Sequence, residues 1–251
     1  MSRLNDVNEF ISQSRTCRGA DDLRGVMEPI TRDMGFSAYA LFQHVKQFNW
    51  KKKNLLAISN FSRNWIDEFF EKRMSSDDPV HLASYRTSIG FRFDEIPRLI
   101  EITERRRRVL DAGRREGITD GFCVPSHIPG ETNGTCTFVV HNGVALPEAN
   151  LPMAQLIGAF AYEAARRIQL AGEDVVRGWA REPMTPRQLE CIVLIARGKT
   201  DWEIARILGI QEQTVTEHLN EARRRCRVSR RTELVVAALY QGDVTFKDIF
   251  N

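Results

Sequence analysis

Two helix-start signals, one at Thr185 and one at Thr200, fix what the C-terminal part of this chain can become. In Thr185-Pro186-Arg187-Gln188 and in Thr200-Asp201-Trp202-Glu203, the threonine hydroxyl can accept from the amide three residues on, while Gln or Glu reaches back to the threonine's own amide. Pro186 stands at the first helical position, where an N–H has no partner in any case. Leu189, Ile192, Val193 and Ala196 then recur at the spacing of one helix face, and Gly198 ends that helix. Ile204, Ala205 and Leu208 precede a second stop at Gly209. A third helix from about Glu212 turns Val215, Leu219, Ala222 and Cys226 inward, and a fourth, capped by Ser229, runs to Gly242. Two short helices joined by a glycine turn and followed by a longer one form a helix-turn-helix.

The outward side of the third helix carries chemistry for nucleic acid. With Val215, Leu219 and Ala222 buried, Thr216, Glu217 and Asn220 face out near its N-terminal half, where base edges are read in a major groove. Asn can pair with adenine through two bonds, and Glu can accept from cytosine. Lys199 and Thr200 at a helix N-terminus, with Arg223, Arg224, Arg230 and Arg231, suit phosphates. The net charge is only +3, but the arginines are concentrated: residues 223–231 read RRRCRVSRR, without an acid among them. Arg105–Arg108 are different, because Glu101, Glu104 and Asp111 interleave with them; they read as a solvated face.

The first 170 residues mix periods of two and of 3.6. Residues 4–34 have the pattern of an amphipathic helix broken near Gly19, with Leu4, Val7, Phe10 and Ile11 on one side. Strand-like runs follow at 36–42, 55–58, 122–125 and 135–141, the last two separated by the turn Pro129-Gly130. Helices are expected at 64–73, with Asp78-Pro79 marking the exit, at 101–116, and at 151–170, where Ala154, Gly158, Ala161 and Ala165 make a stripe of small residues. Strands interleaved with helices imply an α/β/α sandwich, a sheet covered on both faces. Residues 171–183 lose apolar periodicity and end in proline, which reads as a linker. The expected domains are 1–170 and an all-α unit at 184–251.

Five cysteines, Cys17, Cys123, Cys136, Cys191 and Cys226, form no C-x-x-C pair, and the histidines are scattered. This excludes a disulfide framework or zinc site from the expectation and fits a reducing compartment. The N-terminal MSRLNDVNEF lacks the apolar stretch of a signal peptide, and no apolar run approaches a membrane span, so a cytoplasmic protein without a membrane partner is expected. No nucleophile elbow, P-loop or G-x-G-x-x-G is present, so no enzyme, cofactor or metal is expected. The early paired acids and later lysine of a receiver domain are also missing.

Several of these residues together resemble the LuxR-type tetrahelical helix-turn-helix. They are 184–188, Gly198-Lys199-Thr200, Glu203-Ile204-Ala205, Leu208-Gly209-Ile210, Thr214-Val215, His218-Leu219, Val228 and Arg230-Arg231. The resemblance covers 184–242 and adds Thr214 to the DNA-facing set. Gln188 stands where the family has glutamate, and Gln211 where serine usually caps the recognition helix. Upstream, Phe61-x-x-x-Trp65-x-x-x-Phe69, Asp78-Pro79-Val80, Phe93 and Gly121 resemble the acyl-homoserine-lactone (autoinducer) binding domain of the same quorum-sensing regulators. Phe61 and Phe69 replace its usual tyrosines, and Phe93 its tryptophan.

That resemblance implies a cavity walled by Phe61, Phe69, Val80 and Phe93. Trp65 would give its indole N–H to a lactone carbonyl, Asp78 would receive the amide proton, and Thr137 would meet the acyl carbonyl. It implies a transcriptional regulator that binds double-stranded DNA at a pseudo-palindromic operator as a homodimer, with RNA polymerase as a further partner. The small-residue stripe of 151–170 and the final helix at 230–241 are the expected dimer surfaces. The alternative is a family member that is ligand-independent or responds to a non-lactone molecule.

Overall fold

The computed structural model describes residues 3–44, 56–128, 131–171 and 183–250. The turn Pro129-Gly130, Leu55 and nearly all of the expected linker lie outside the described residues. The chain divides into two compact units, and each is described by itself.

The N-terminal unit is built on an antiparallel sheet of five strands in the order β2-β1-β5-β4-β3: β1 (Ala38–Gln43), β2 (Ala57–Ser59), β3 (Phe91–Arg92), β4 (Ile118–Ser126) and β5 (Gly134–His141). On one face lie α1 (Arg3–Thr16), α2 (Ala20–Asp33) and α7 (Leu151–Leu170). They close a continuous core of Leu23, Met27, Leu41, Val124, Cys136, Phe138 and Ile157, all at most 1% exposed. The break near Gly19 separates α1 from α2 as expected. The opposite face is covered by α3 (Arg63–Glu71), α4 (Pro79–Ser84), α5 (Ile96–Leu99) and α6 (Glu104–Arg115), whose apolar residues form two smaller clusters. A sheet with helices on both faces is the layering read from the sequence. Because strand side chains alternate, β5 sends Cys136, Phe138 and Val140 into the first core and Thr135, Thr137 and Val139 to the other side.

The stripe on α7 is not a free surface. Ala154, Ala161 and Ala165 are buried in the first core, and a Cβ on Gly158 would lie 2.8 Å from Val124 Cγ2. Small residues are needed there so that the helix can approach β4 and β5. The expected dimer role for this stripe is therefore corrected to intradomain packing.

The C-terminal unit consists of α8 (Pro186–Ala196), α9 (Asp201–Leu208), α10 (Glu212–Cys226), α11 (Arg231–Tyr240) and a short α12 (Phe246–Phe250). Both capping boxes form: Thr185 N donates to Gln188 Oε1 at 2.9 Å, and Thr200 N to Glu203 Oε2 at 2.8 Å. Gly209 ends α9 at φ +67°, a left-handed conformation that costs a residue with a Cβ about 1 kcal/mol. Ile192, Ile204, Val215, Leu219, Ala222 and Leu234 meet in one core.

Two local expectations shift. The buried stripe of α8 is Gln188, Cys191, Ile192, Leu194 and Ile195, while Leu189, Val193 and Ala196 are only partly covered, because α8 packs against α9, α10 and α11 at once. The cap of α11 is Arg230 rather than Ser229, with Glu233 accepting from both of their amides. Gln211 caps α10 without a side-chain bond, and α12 has no counterpart in the sequence reading. Among the described residues no helix is long and apolar enough to cross a membrane.

Candidate ligand cavity and nucleic-acid interface

A cavity of about 330 Å³ lies on the sheet face beneath α3, α4 and α6. Phe61, Trp65, Phe69, Asp78, Val80, Phe93 and Thr137 all line it. Ser62 sets α3 by accepting from Trp65 N at 3.1 Å. Trp65 and Phe69, one helical turn apart, then both face inward, with their rings 5.7 Å apart. Phe93 reaches the wall only because position 121 is glycine: a Cβ there would stand 2.6 Å from the Phe93 ring and 2.7 Å from Phe138 O.

Asp78 is more than the end of the preceding helix. It is the N-cap of α4, with Pro79 in the first turn; Oδ1 accepts from Val80 N at 2.9 Å, and Oδ2 lies 3.3 Å from His81 Nε2. A carboxylate has about four acceptor positions, so two remain after these contacts. Asp78 and His81 are each 7% exposed. His81 stacks on His44 with ring centroids 4.2 Å apart, and His44 Nε2 lies 3.2 Å from Thr135 Oγ1. Burial, and after it the neighbouring His81, push the His44 pKa down to about 2, so His44 is neutral across ordinary pH. Burial raises the Cys123 thiol well above its usual range, with nearby Thr137 opposing that rise only in part.

The sequence reading missed several lining residues. Ala40 and Phe42 on β1, Val139 on β5, and Val109, Leu110 and Gly113 on α6 complete the apolar wall. His81 also lines the cavity, and Asp94, Arg114 and Asp120 supply further charge. Periodicity could have supplied Ala40 and Phe42, which alternate on β1; nothing local pointed to α6, which joins the site only through tertiary packing.

On the helical unit, Glu217 and Asn220 are exposed one turn apart on α10. Asn220 accepts from Arg223, and Glu217 from Gln213. Thr214 is half-buried, and Thr216 is tied by its hydroxyl to Asp201 Oδ2 at 3.2 Å. Arg224 pairs with Glu221, Lys199 lies 3.5 Å from Glu203, and Thr200 is consumed as the α9 cap. Arg230 is exposed. Arg231 differs from a free phosphate arm: its guanidinium binds the Asp201 carboxylate and the Lys199 carbonyl. Asp201 thus joins α9, α10 and α11. Glu203 and Glu233 are held below the usual carboxylate range, Glu203 by its bonds from Thr200 and Glu233 by the amides of Arg230 and Ser229.

Residues 19–165 match the family model described as autoinducer binding domain, and residues 182–238 match that of the bacterial regulatory proteins of the luxR family. The chain belongs to the LuxR family of autoinducer-binding transcriptional regulators. Like other LuxR-type proteins, it is a quorum-sensing regulator rather than an enzyme. It is 28% identical over 215 residues to the quorum sensing-dependent transcriptional regulator RpaR of Rhodopseudomonas palustris, covering 86% of this chain and 85% of that one. The LuxR activator of Aliivibrio fischeri is 21% identical over 253 residues, covering 95% and 94%. Escherichia coli SdiA shares the fold, with a TM-score of 0.61 over the full length of both chains at 18% identity.

Proposed function

We propose that this LuxR-family regulator binds an N-acyl-homoserine-lactone-type signal in the cavity and, as a homodimer in the cytoplasm, a pseudo-palindromic operator from which it engages RNA polymerase. The observation that carries the ligand reading is convergence. Seven residues spread from Phe61 to Thr137 line one mainly apolar cavity in which few polar groups are fixed. Trp65 gives its indole N–H to the lactone carbonyl, the free acceptor positions of Asp78 take the amide proton, and the Thr137 hydroxyl serves the acyl carbonyl. Phe61, Phe69, Val80 and Phe93 contribute surface without a conventional donor, which favours an apolar acyl chain.

On DNA, Glu217 and Asn220 read base edges with Thr214 and Thr216 beside them. Lys199, Thr200, Arg223, Arg224 and Arg230 neutralise phosphates, and Arg231 holds the helices in register. The dimer forms through α11, where Val236 and Tyr240 are exposed beside Val228 and Ala237. A signal that binds the folded unit stabilises it by mass action.

The test is a thermal-shift titration of the parent and Asp78→Asn chains with N-octanoyl-homoserine lactone. The parent gains stability, and Asp78→Asn loses roughly 1.5–3 kcal/mol of binding, because a neutral acceptor replaces a charged one. Equal stabilisation of both chains, or none of the parent by any acyl lactone, overturns the reading.

A further inference from the structure

His81 is the wall residue whose chemistry apolar packing does not account for. It stands three residues after Asp78 on α4, its ring edge-on to Phe69 at 5.9 Å and to Phe42 at 6.5 Å, and stacked on His44. A hydrophobic side chain would fill that aromatic nest at less cost, since His81 Nδ1 is buried without a partner among the described residues. What the imidazole adds is Nε2, 3.3 Å from Asp78 Oδ2. The unpartnered Nδ1 favours a proton on Nε2, because a proton on Nδ1 would have no acceptor among the described residues. His44 faces the same ring, is itself neutral, and has its own Nδ1 unpartnered among the described residues.

We infer that His81 is a positioning residue that sets ligand specificity: its Nε2–H fixes one Asp78 oxygen while the Val80 amide fixes the other, so that the carboxylate presents only acceptor positions to the cavity and selects head groups that bring an N–H donor. The inference rests on the reading of this cavity as the signal site. With both oxygens held and charged, a ligand that offers an oxygen in place of the N–H sets lone pair against lone pair. Without His81, Oδ2 loses its donor, and the carboxyl group can rotate or bind a proton and so tolerate an acceptor.

The experiment compares N-octanoyl-homoserine lactone with the ester analogue in which oxygen replaces the amide N–H, titrated calorimetrically into full-length protein. The parent is expected to prefer the amide by about tenfold or more, the scale of one charge-assisted bond. His81→Leu narrows that preference to about threefold or less through lost amide affinity, and His81→Gln, whose carboxamide N–H can donate to Oδ2, restores part of it. If His81→Leu weakens both ligands equally and keeps the ratio, His81 is merely structural and the inference fails. Nitrogen-15 spectroscopy of the parent's histidines provides a check that needs no variant: a proton on Nδ1 rather than Nε2 of His81 overturns the proposal. A parent that binds neither probe overturns the signal-site reading and this inference with it; a parent that binds the amide with an unaltered ratio in the variants overturns the inference alone.

Discussion

The N-terminal unit keeps its polar chemistry inside and the helical unit keeps it outside. Ser14, Thr31, His44, Asp78, His81, Ser84 and Thr135 are buried in the first, whereas Gln188, one half of a capping box, is the corresponding residue of the second among the described residues. A buried polar group is costly unless it is satisfied, and its interactions are hardly screened; an exposed charge is cheap to keep and readily screened. The cavity unit thus carries a few strong and demanding contacts. The helical unit carries many weak ones that act together on a polyanion.

Salt separates the two most sharply. Between 50 and 200 mM salt, affinity of the full chain for a random-sequence duplex is expected to fall by roughly 10³-fold or more if six or more phosphates are neutralised. Acyl-lactone affinity should change by less than about twofold over the same range, since the contacts are buried and the ligand uncharged. Parallel salt slopes in the two titrations would erase the distinction.

Asn220→Ala sharpens it from the outside. It should relax preference at one base position at a cost of about 1–3 kcal/mol, read from sequences selected out of a randomised duplex pool, with ligand-induced stabilisation unchanged. Arg230→Ala should instead weaken all sequences alike and reduce the salt slope by about one.

Acid sharpens it from the inside. The folded pKa of His44, about 2, lies below the ordinary 6.5, so its contribution is fully present above pH 6.5 and is lost as pH falls from there toward 2. Each pH unit in that window should cost the N-terminal unit about 1.4 kcal/mol, and His44→Gln should flatten the profile. Glu203 and Glu233 are also depressed, but from 4.5, so their contribution persists above pH 4.5 and the helical unit should stay level between pH 7.5 and 5.0. Urea unfolding at pH 7.5, 6.0 and 5.0, with a probe in each unit, checks both. The smallest effect is Thr137→Val, with a loss of about 0.5–1.5 kcal/mol in ligand affinity and no change in the salt slope; full affinity for every acyl lactone would remove the hydroxyl from the site.

The helical unit was legible because its signals are local: a capping box spans four residues, and a glycine stop is read where it stands. Arg231 was read as a phosphate contact, and its ion pair escaped that reading because the partner, Asp201, is thirty residues away. The cavity residues from Phe61 to Thr137 were legible through family spacing, whereas His44 and Thr135 meet only across the β1–β5 register. The α7 stripe shows the same limit from the other side. Small residues announce a close approach, but not whether the approaching surface belongs to the same chain.

Asp201 has one more consequence. A threonine or an arginine that had to be immobilised while docking on DNA would subtract its lost rotamer freedom from affinity. Thr216 and Arg231 surrender that freedom when the unit folds, because Asp201 already holds both. The entropic charge is moved from the encounter to folding, and under the proposed mode of DNA binding α10 would reach the groove already in shape.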